Sequence, residues 1–149
     1  MHVHGTHRFE APREAVFAAI RDPRTLIAVI PGCEDVQLVA DDRYEGRIML
    51  RLPGATGRYT TDVQLVDLRE PEHAGLRGSV EGTMGSITGD AQFDLATAGE
   101  GTVLNYDGTA VIQGPLARLD SRFAEKLAES LITQGLKALD ARLVAEVVA

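Results

Sequence analysis

The chain has 149 residues, of which 44% are hydrophobic and 25% charged, a composition typical of one globular domain of ordinary size. Its net charge of −7 argues against nucleic-acid binding, because proteins of that class carry a basic patch. The single cysteine excludes an internal disulfide, and the first residues lack the pattern of a signal or transit peptide. We therefore predict one cytoplasmic domain over residues 1–149.

The N-terminal part of the chain predicts a strand followed by two short helices. Residues 2–10 alternate loosely between polar and apolar side chains, as in an edge strand. An amphipathic helix is predicted from Ala11 to Ile20, and Asp22-Pro23 ends it because the residue before a proline is pushed out of the helical region. Arg24 to Ile30 adds one or two helical turns before Pro31-Gly32.

From Cys33 onwards the hydrophobic period changes to two, which predicts a series of strands. The alternating segments are Val36–Val39, Tyr44–Leu52, Tyr59–Leu68, Leu76–Gly82, Ile87–Leu95 and Leu104–Gln113. Short turns such as Pro53-Gly54 separate them, so consecutive strands are expected to pair as an antiparallel meander with one face in water. A change of phase at Val66 predicts a β-bulge in the third of these segments.

The last stretch, Gly114 to Ala149, predicts one long helix with Pro115 at its first position. Its apolar side is formed by residues spaced three and four apart, namely Leu116, Leu119, Phe123, Leu127 and Leu131. A helix with one apolar side must bury it, and the preceding strands offer the surface. The order of elements thus predicts an α+β fold in which an antiparallel sheet wraps around the C-terminal helix.

The end of this helix, Leu143–Val148, is more apolar than a free end requires. Packing against the N-terminal helices is the favoured explanation. A homodimer contact and a membrane contact are the alternatives.

Several inward positions of the predicted strands carry small residues: Gly46, Gly78, Gly82, Gly89, Ala91, Gly108 and Ala110. Two explanations are equally open. Small residues leave volume between sheet and helix, and glycine also lets a sheet bend tightly enough to wrap a helix.

If a pocket forms there, apolar residues of both layers are expected to line it. The sheet would contribute Ile48, Leu50, Tyr59, Val63, Phe93, Leu104, Tyr106 and Ile112, and the helix Leu116, Leu119, Phe123 and Leu127. Two tyrosine hydroxyls are the only polar groups in this set, so a hydrophobic ligand is predicted.

The residues that could carry catalysis or bind a metal do not form a recognisable constellation. His2 and His4 share a strand face, but a metal site needs further ligands. Cys33 follows Pro-Gly at a turn without an identifiable base, which favours a small buried thiol over a nucleophile. Asp90 and Asp94 lie on a polar face in water. The sequence therefore predicts a protein without enzymatic activity, cofactor or metal.

Five short motifs together resemble one protein family. They are Phe9–Phe17 with its Ala11-Pro12 start, Asp22-Pro23, Ile30-Pro31-Gly32-Cys33, Gly101-Thr102 before Leu104-Asn105-Tyr106, and Gly114-Pro115-Leu116-Ala117. They are similar to those of the G-subunit family of carbon monoxide dehydrogenase, within the helix-grip superfamily that includes START lipid-transfer domains, Bet v 1 allergens and polyketide cyclases. Asp120 departs from the family pattern, which commonly has glycine there.

The resemblance implies a seven-stranded antiparallel sheet that grips the C-terminal helix, with a ligand cavity between them. It also implies an accessory role beside a molybdenum hydroxylase of the carbon monoxide dehydrogenase type. The leading hypothesis is a carrier of a hydrophobic small molecule, with an isoprenoid quinone as the candidate.

Two other hypotheses remain. The protein is an assembly or membrane-recruitment factor, peripheral at the inner face of the cell membrane, that is recognised through the helix or the Arg24–Cys33 region. Alternatively, it is an enzyme of the polyketide cyclase kind with Tyr59, Tyr106 or Asp107 as acid or base.

Overall fold

The computed structural model describes the backbone of residues 1–148 and the side chains of residues 1–146. The elements are β1 (His2–Phe9), α1 (Arg13–Ile20), α2 (Pro23–Val29), β2 (Cys33–Ala40), β3 (Arg43–Leu50), β4 (Gly57–Arg69), β5 (His73–Gly82), β6 (Gly85–Ala98), β7 (Gly101–Gln113), a 3₁₀ turn (Gly114–Arg118) and α3 (Ser121–Val148). The strands form one seven-stranded sheet in the order β1-β7-β6-β5-β4-β3-β2. Every neighbouring pair is antiparallel. The predicted α+β helix-grip architecture is confirmed.

Local sequence signals explain where the first helices and the irregular strand occur. Asp22 caps α2, since its side chain accepts the amide N–H of Arg24 at 3.0 Å, and Pro23 occupies the first turn. In β4 the pairing with β5 shifts after Val66, and Asp67 has a φ of 50°. The β-bulge predicted from the change of phase at Val66 is therefore confirmed.

The C-terminal helix does not begin at Pro115, and this part of the prediction is wrong. Leu119 has an extended backbone with ψ 139°, which separates the 3₁₀ turn from α3. Asp120 then caps α3, because its carboxylate accepts the amide N–H groups of Arg122 and Phe123 at 3.0 and 3.1 Å. The phase of α3 is set from this cap, so Ala124 is turned inward and buried while Phe123 stays 44% exposed.

Two separate hydrophobic cores hold the layers together. The first, which we call the N-helix cluster, joins α1 and α2 to the sheet and includes Phe9, Phe17 and Phe93. Leu143 of α3 is buried in it, so the apolar end of the chain packs on the first helices as favoured, as far as Leu143. The side chains of residues 147–149 lie outside the described residues.

The second core, the loop cluster, lies at the other end of the molecule. Leu52 and Ala55 from the β3–β4 connection pack there with Tyr59 of β4 and Leu116 of the 3₁₀ turn. Tyr59 fits because Gly82 lies beneath its ring, where a Cβ would be 2.6 Å from the ring atom Cδ2. Of the described helices, none combines the length and apolar character needed to cross a lipid bilayer.

Candidate functional site

Between the two clusters, the inner face of the sheet and α3 enclose a cavity of about 360 Å³. Apolar residues of the central strands and α3 form most of its wall, including Val63, Leu76, Val80, Ile87 and Ile132. These side chains remain half-buried although they face the interior, since no protein atoms fill the space in front of them.

A smaller cavity of about 80 Å³ continues towards the loop cluster. It is lined by Met1, Leu50, Leu52, Ile87, Ile112, Leu116, Leu119, Ala124, Leu127, Ala128 and Leu131. Met1 and Ile87 belong to both walls, so the two volumes are neighbours. Together they form the candidate site, which we call the grip cavity.

The space exists because the centre of the sheet carries small residues and because α3 packs mainly on β1 and α2 rather than on the central strands. Gly78, Gly89, Ala91, Gly108 and Ala110 all contribute to the floor. At Gly78 a Cβ would lie 2.7 Å from the carbonyl oxygen of Asp62, and at Gly89 a Cβ would collide with that of Thr109. The glycines are thus needed for close strand approach, and they also leave the floor bare.

The structure brings half of the predicted wall residues to the grip cavity. Val63 lines the larger volume, and the smaller one is lined by Leu50, Ile112, Leu116, Leu119 and Leu127. The other half lies elsewhere. Ile48 and Tyr59 pack in the loop cluster, whereas Phe93, Leu104 and Tyr106 pack in the N-helix cluster.

Phe123 is the one member of the predicted wall that points away from the interior. It is 44% exposed, because the cap at Asp120 starts a new helical phase that the spacing from Leu116 does not follow. The residues missed by the prediction follow that new phase. Ala124, Leu127, Ala128, Leu131 and Ile132 recur at steps of three, one, three and one, and counting from Asp120 as the cap would have found them.

The three tyrosine hydroxyls have different surroundings. Tyr59 donates to the carbonyl oxygen of Ala55 at 2.8 Å, and Tyr44 donates to that of Arg21 at 2.7 Å. Tyr106 has no hydrogen-bond partner among the described residues. Burial raises the pKa of all three phenols above its ordinary value, and the carboxylate of Glu129 adds to the rise at Tyr106.

The other candidate chemical groups lie outside the cavity. Asp107 is on the outer face of the sheet, 2.9 Å from the His2 ring nitrogen Nε2. His2 and His4 have ring centroids 5.3 Å apart, and no group of three or more potential metal ligands occurs among the described side chains. Asp94 contacts His73 at 2.8 Å and Asp90 lies 3.5 Å from Arg77, both pairs on the outer face.

Cys33, predicted to be a buried thiol, is half-buried at the start of β2. Burial raises the pKa of the thiol, so it is less reactive than a free cysteine at neutral pH.

Comparison with solved structures gives full-length matches in fold. A conserved protein from Geobacillus kaustophilus is 24% identical with a TM-score of 0.92, and the match covers 97% of this chain and 96% of that one. A START superfamily protein from Mycobacterium smegmatis is 17% identical with a TM-score of 0.72, over 95% of each chain. DynU16, a protein of the dynemicin biosynthetic locus, is 16% identical with a TM-score of 0.61, over 95% of this chain and 46% of DynU16. These likenesses establish the fold.

No curated protein matches the chain by sequence. The family described as the G subunit of carbon monoxide dehydrogenase (CoxG) matches residues 5–144. That range contains both short helices, the 3₁₀ turn, most of the sheet and most of α3. The protein therefore belongs to the CoxG family, the G subunits of carbon monoxide dehydrogenase.

Proposed function

We propose that the protein is a non-enzymatic accessory protein of a carbon monoxide dehydrogenase-type molybdenum hydroxylase that carries a hydrophobic molecule in the grip cavity. The observation that carries the proposal is the unfilled apolar space of about 360 Å³ between the two cores. Its size falls within the range of about 300–1,000 Å³ common for small-molecule sites. Family membership supplies the class of partner enzyme.

The chemistry of the wall supports an apolar guest. Neither Lys nor Arg is among the described residues that line the two volumes. Asp90 contributes to the wall of the larger volume, but its carboxylate lies near Arg77 on the outer face. Each methylene group that the cavity shelters from water contributes about 0.8 kcal/mol, so a long hydrocarbon chain would bind without ionic contacts.

An isoprenoid quinone is our candidate ligand. An enzyme that oxidises a gas must pass its electrons to an acceptor, and such quinones reside in the membrane. A carrier with an apolar sleeve would bring the acceptor to the enzyme. The length of an isoprenoid tail suits a cavity that continues from the sheet centre towards the 3₁₀ turn.

The test is extraction of the purified protein after incubation with an excess of quinone in detergent or vesicles, followed by mass spectrometry. We expect near-stoichiometric recovery with the natural sequence and clearly less with Ala91→Leu, which places a larger side chain in the cavity. Ala96→Leu is the matched control, since Ala96 is exposed on the same strand. Absence of quinone in the natural protein would contradict this candidate.

A recruitment role is the second candidate, favoured by one surface feature. Phe123 is exposed beside Arg118, Arg122 and Lys126, and none of these cations forms an ion pair with another described residue. In a chain of net charge −7, this cationic patch fits an acidic face of the partner enzyme.

Capture of the dehydrogenase by immobilised protein separates the two roles. A recruitment role predicts capture that is undiminished by Ala91→Leu and lost with Arg122→Glu. Capture unaffected by Arg122→Glu would reject the patch as the contact.

The cyclase hypothesis receives no comparable support. Of its three acid or base candidates, Tyr59 is hydrogen-bonded to Ala55 and Asp107 lies on the outer face beside His2. Tyr106 alone lies beside the cavity, and a single phenol whose pKa is raised is a weak general base near neutral pH.

A further inference from the structure

Tyr106 differs from the other tyrosines in having a hydroxyl without a partner among the described residues. Its ring lies over Gly5 of β1, where a Cβ would be 2.7 Å from the phenolic oxygen. The absence of a side chain at Gly5 therefore permits this position of the ring. A partly buried hydroxyl that no described residue engages is available to a ligand.

Strand register places this hydroxyl at the β1 side of the grip cavity. Gly5 pairs with Tyr106, and Val3 pairs with Gly108. Val3 and Gly108 both line the larger volume, and each is two residues away from the Gly5–Tyr106 pair on the same face of its strand. The phenolic oxygen thus lies next to the apolar wall rather than deep in the N-helix cluster.

Glu129 of α3 faces the same seam between helix and β1. The carboxylate of Glu125, one turn earlier, accepts the amide N–H of His2 at 3.1 Å. The carboxylate of Asp140, nearer the other end of α3, accepts that of Glu10 at 3.2 Å. Glu129 is half-buried between these two anchors and precedes the cavity residue Ile132 by three positions.

We propose that the grip cavity selects neutral amphiphiles with one hydrogen-bonding oxygen at the end of an apolar chain, that is ketones, phenols and alcohols, and rejects fatty-acid anions. The proposal rests on the carrier function above. Tyr106 donates to the ketone oxygen or accepts from a hydroxyl group, and Glu129 also accepts from a hydroxyl. A fatty-acid carboxylate would lie near Glu129 with no Lys or Arg among the described wall residues to offset the repulsion.

A set of ligands with equal chain length tests the selection. Dodecane, dodecanol, 2-dodecanone and dodecanoate each compete with the neutral fluorescent probe N-phenyl-1-naphthylamine, near neutral pH. We expect the alcohol and the ketone to bind at least about tenfold more tightly than dodecanoate. Tyr106→Phe should weaken the ketone and the alcohol about fivefold, the effect of one neutral hydrogen bond, and leave dodecane unchanged.

Two further variants examine the charge. Glu129→Gln should strengthen dodecanoate binding several-fold without affecting dodecane. Glu125→Gln is its control, because Glu125 is engaged by the amide of His2. Tyr59→Phe is the control for Tyr106→Phe, since it removes a hydroxyl that is bonded to Ala55 and should leave the ligand order unchanged.

The outcomes separate this inference from the carrier function. Failure of every ligand to displace the probe, or failure of the probe to bind, would reject the carrier function itself. Displacement by all four with equal affinity, or a dodecanoate affinity equal to that of dodecanol, would overturn the selection while leaving the carrier function intact. An unchanged ketone affinity in a folded Tyr106→Phe protein would remove Tyr106 from the site.

Discussion

Replacing Ala91 by leucine tests whether the grip cavity is truly unfilled. Ala91 lies on the cavity floor, and its cross-strand neighbour on β7 is Gly108, which leaves room beside it. In a filled interior, a larger side chain at this position would force its neighbours apart and cost about 1–3 kcal/mol. In an unfilled one it would bury new apolar surface.

The magnitude follows from the three carbon atoms that leucine adds. Their burial is worth about 2.4 kcal/mol at about 0.8 kcal/mol per methylene group. Ordering the leucine side chain costs about 0.5–1 kcal/mol. We therefore expect the free energy of unfolding of Ala91→Leu to rise by about 1.5 kcal/mol.

The same three carbons displace an equal part of a ligand. Losing about 2.4 kcal/mol of sheltered surface corresponds to an affinity about 50-fold lower, because about 1.4 kcal/mol is a factor of ten. A more stable protein that binds less tightly is the expected result, and a substitution that merely damaged the fold would not produce it.

Urea unfolding and titration with N-phenyl-1-naphthylamine measure the two quantities. A higher urea midpoint with an unchanged slope reports the gain in stability. Ala96→Leu makes the same change on the exposed side of β6 and should alter neither quantity appreciably. A loss of about 1 kcal/mol in Ala91→Leu, with Ala96→Leu unaffected, would show that the interior is filled and refute the reasoning.

Three further predictions concern stability and ionisation. Asp120→Ala removes the cap of α3, which accepts two backbone amides, and should lower the free energy of unfolding by about 1 kcal/mol in urea unfolding, whereas an unchanged midpoint would contradict the cap. Gly135→Ala should raise it by about 0.5–1 kcal/mol, since the new Cβ meets the Val29 carbonyl oxygen at an ordinary 3.7 Å and glycine is unfavourable within a helix. A destabilised Gly135→Ala protein would mean that α2 and α3 pack more tightly than this distance allows. Because the pKa of every tyrosine is raised by burial, the phenolate absorbance of the folded protein should rise at higher pH than that of the urea-unfolded chain. Stability should correspondingly be full below about pH 10 and fall as the pH rises through the folded-state pKa values; coincident titrations would reject this.

The strands and short helices were predictable because their signals are local. Alternation of apolar and polar residues placed six strands after Cys33, the Asp22-Pro23 step placed α2, and a phase change at Val66 placed the bulge. Each signal depends on neighbours within a few residues, so it survives whatever the rest of the chain does.

The cavity wall was predictable only in part because it depends on distances between elements. Phe93 and Leu104 alternate inward just as Val63 does, yet they are filled over by α1 and the end of α3, whereas Val63 faces open space. Nothing in the alternation distinguishes a residue at the end of the sheet from one at its centre, since that difference arises only when α3 comes to rest against β1 and α2.

The sequence by itself determined the order of elements, the inward face of each strand and the apolar character of whatever the sheet encloses. Tertiary structure decided that the 3₁₀ turn and α3 are separate, that the interior divides into two cores, and that a hollow remains between them. The physical reason is that side-chain patterning specifies which surfaces must leave water, whereas the volume left between them depends on how closely rigid elements approach.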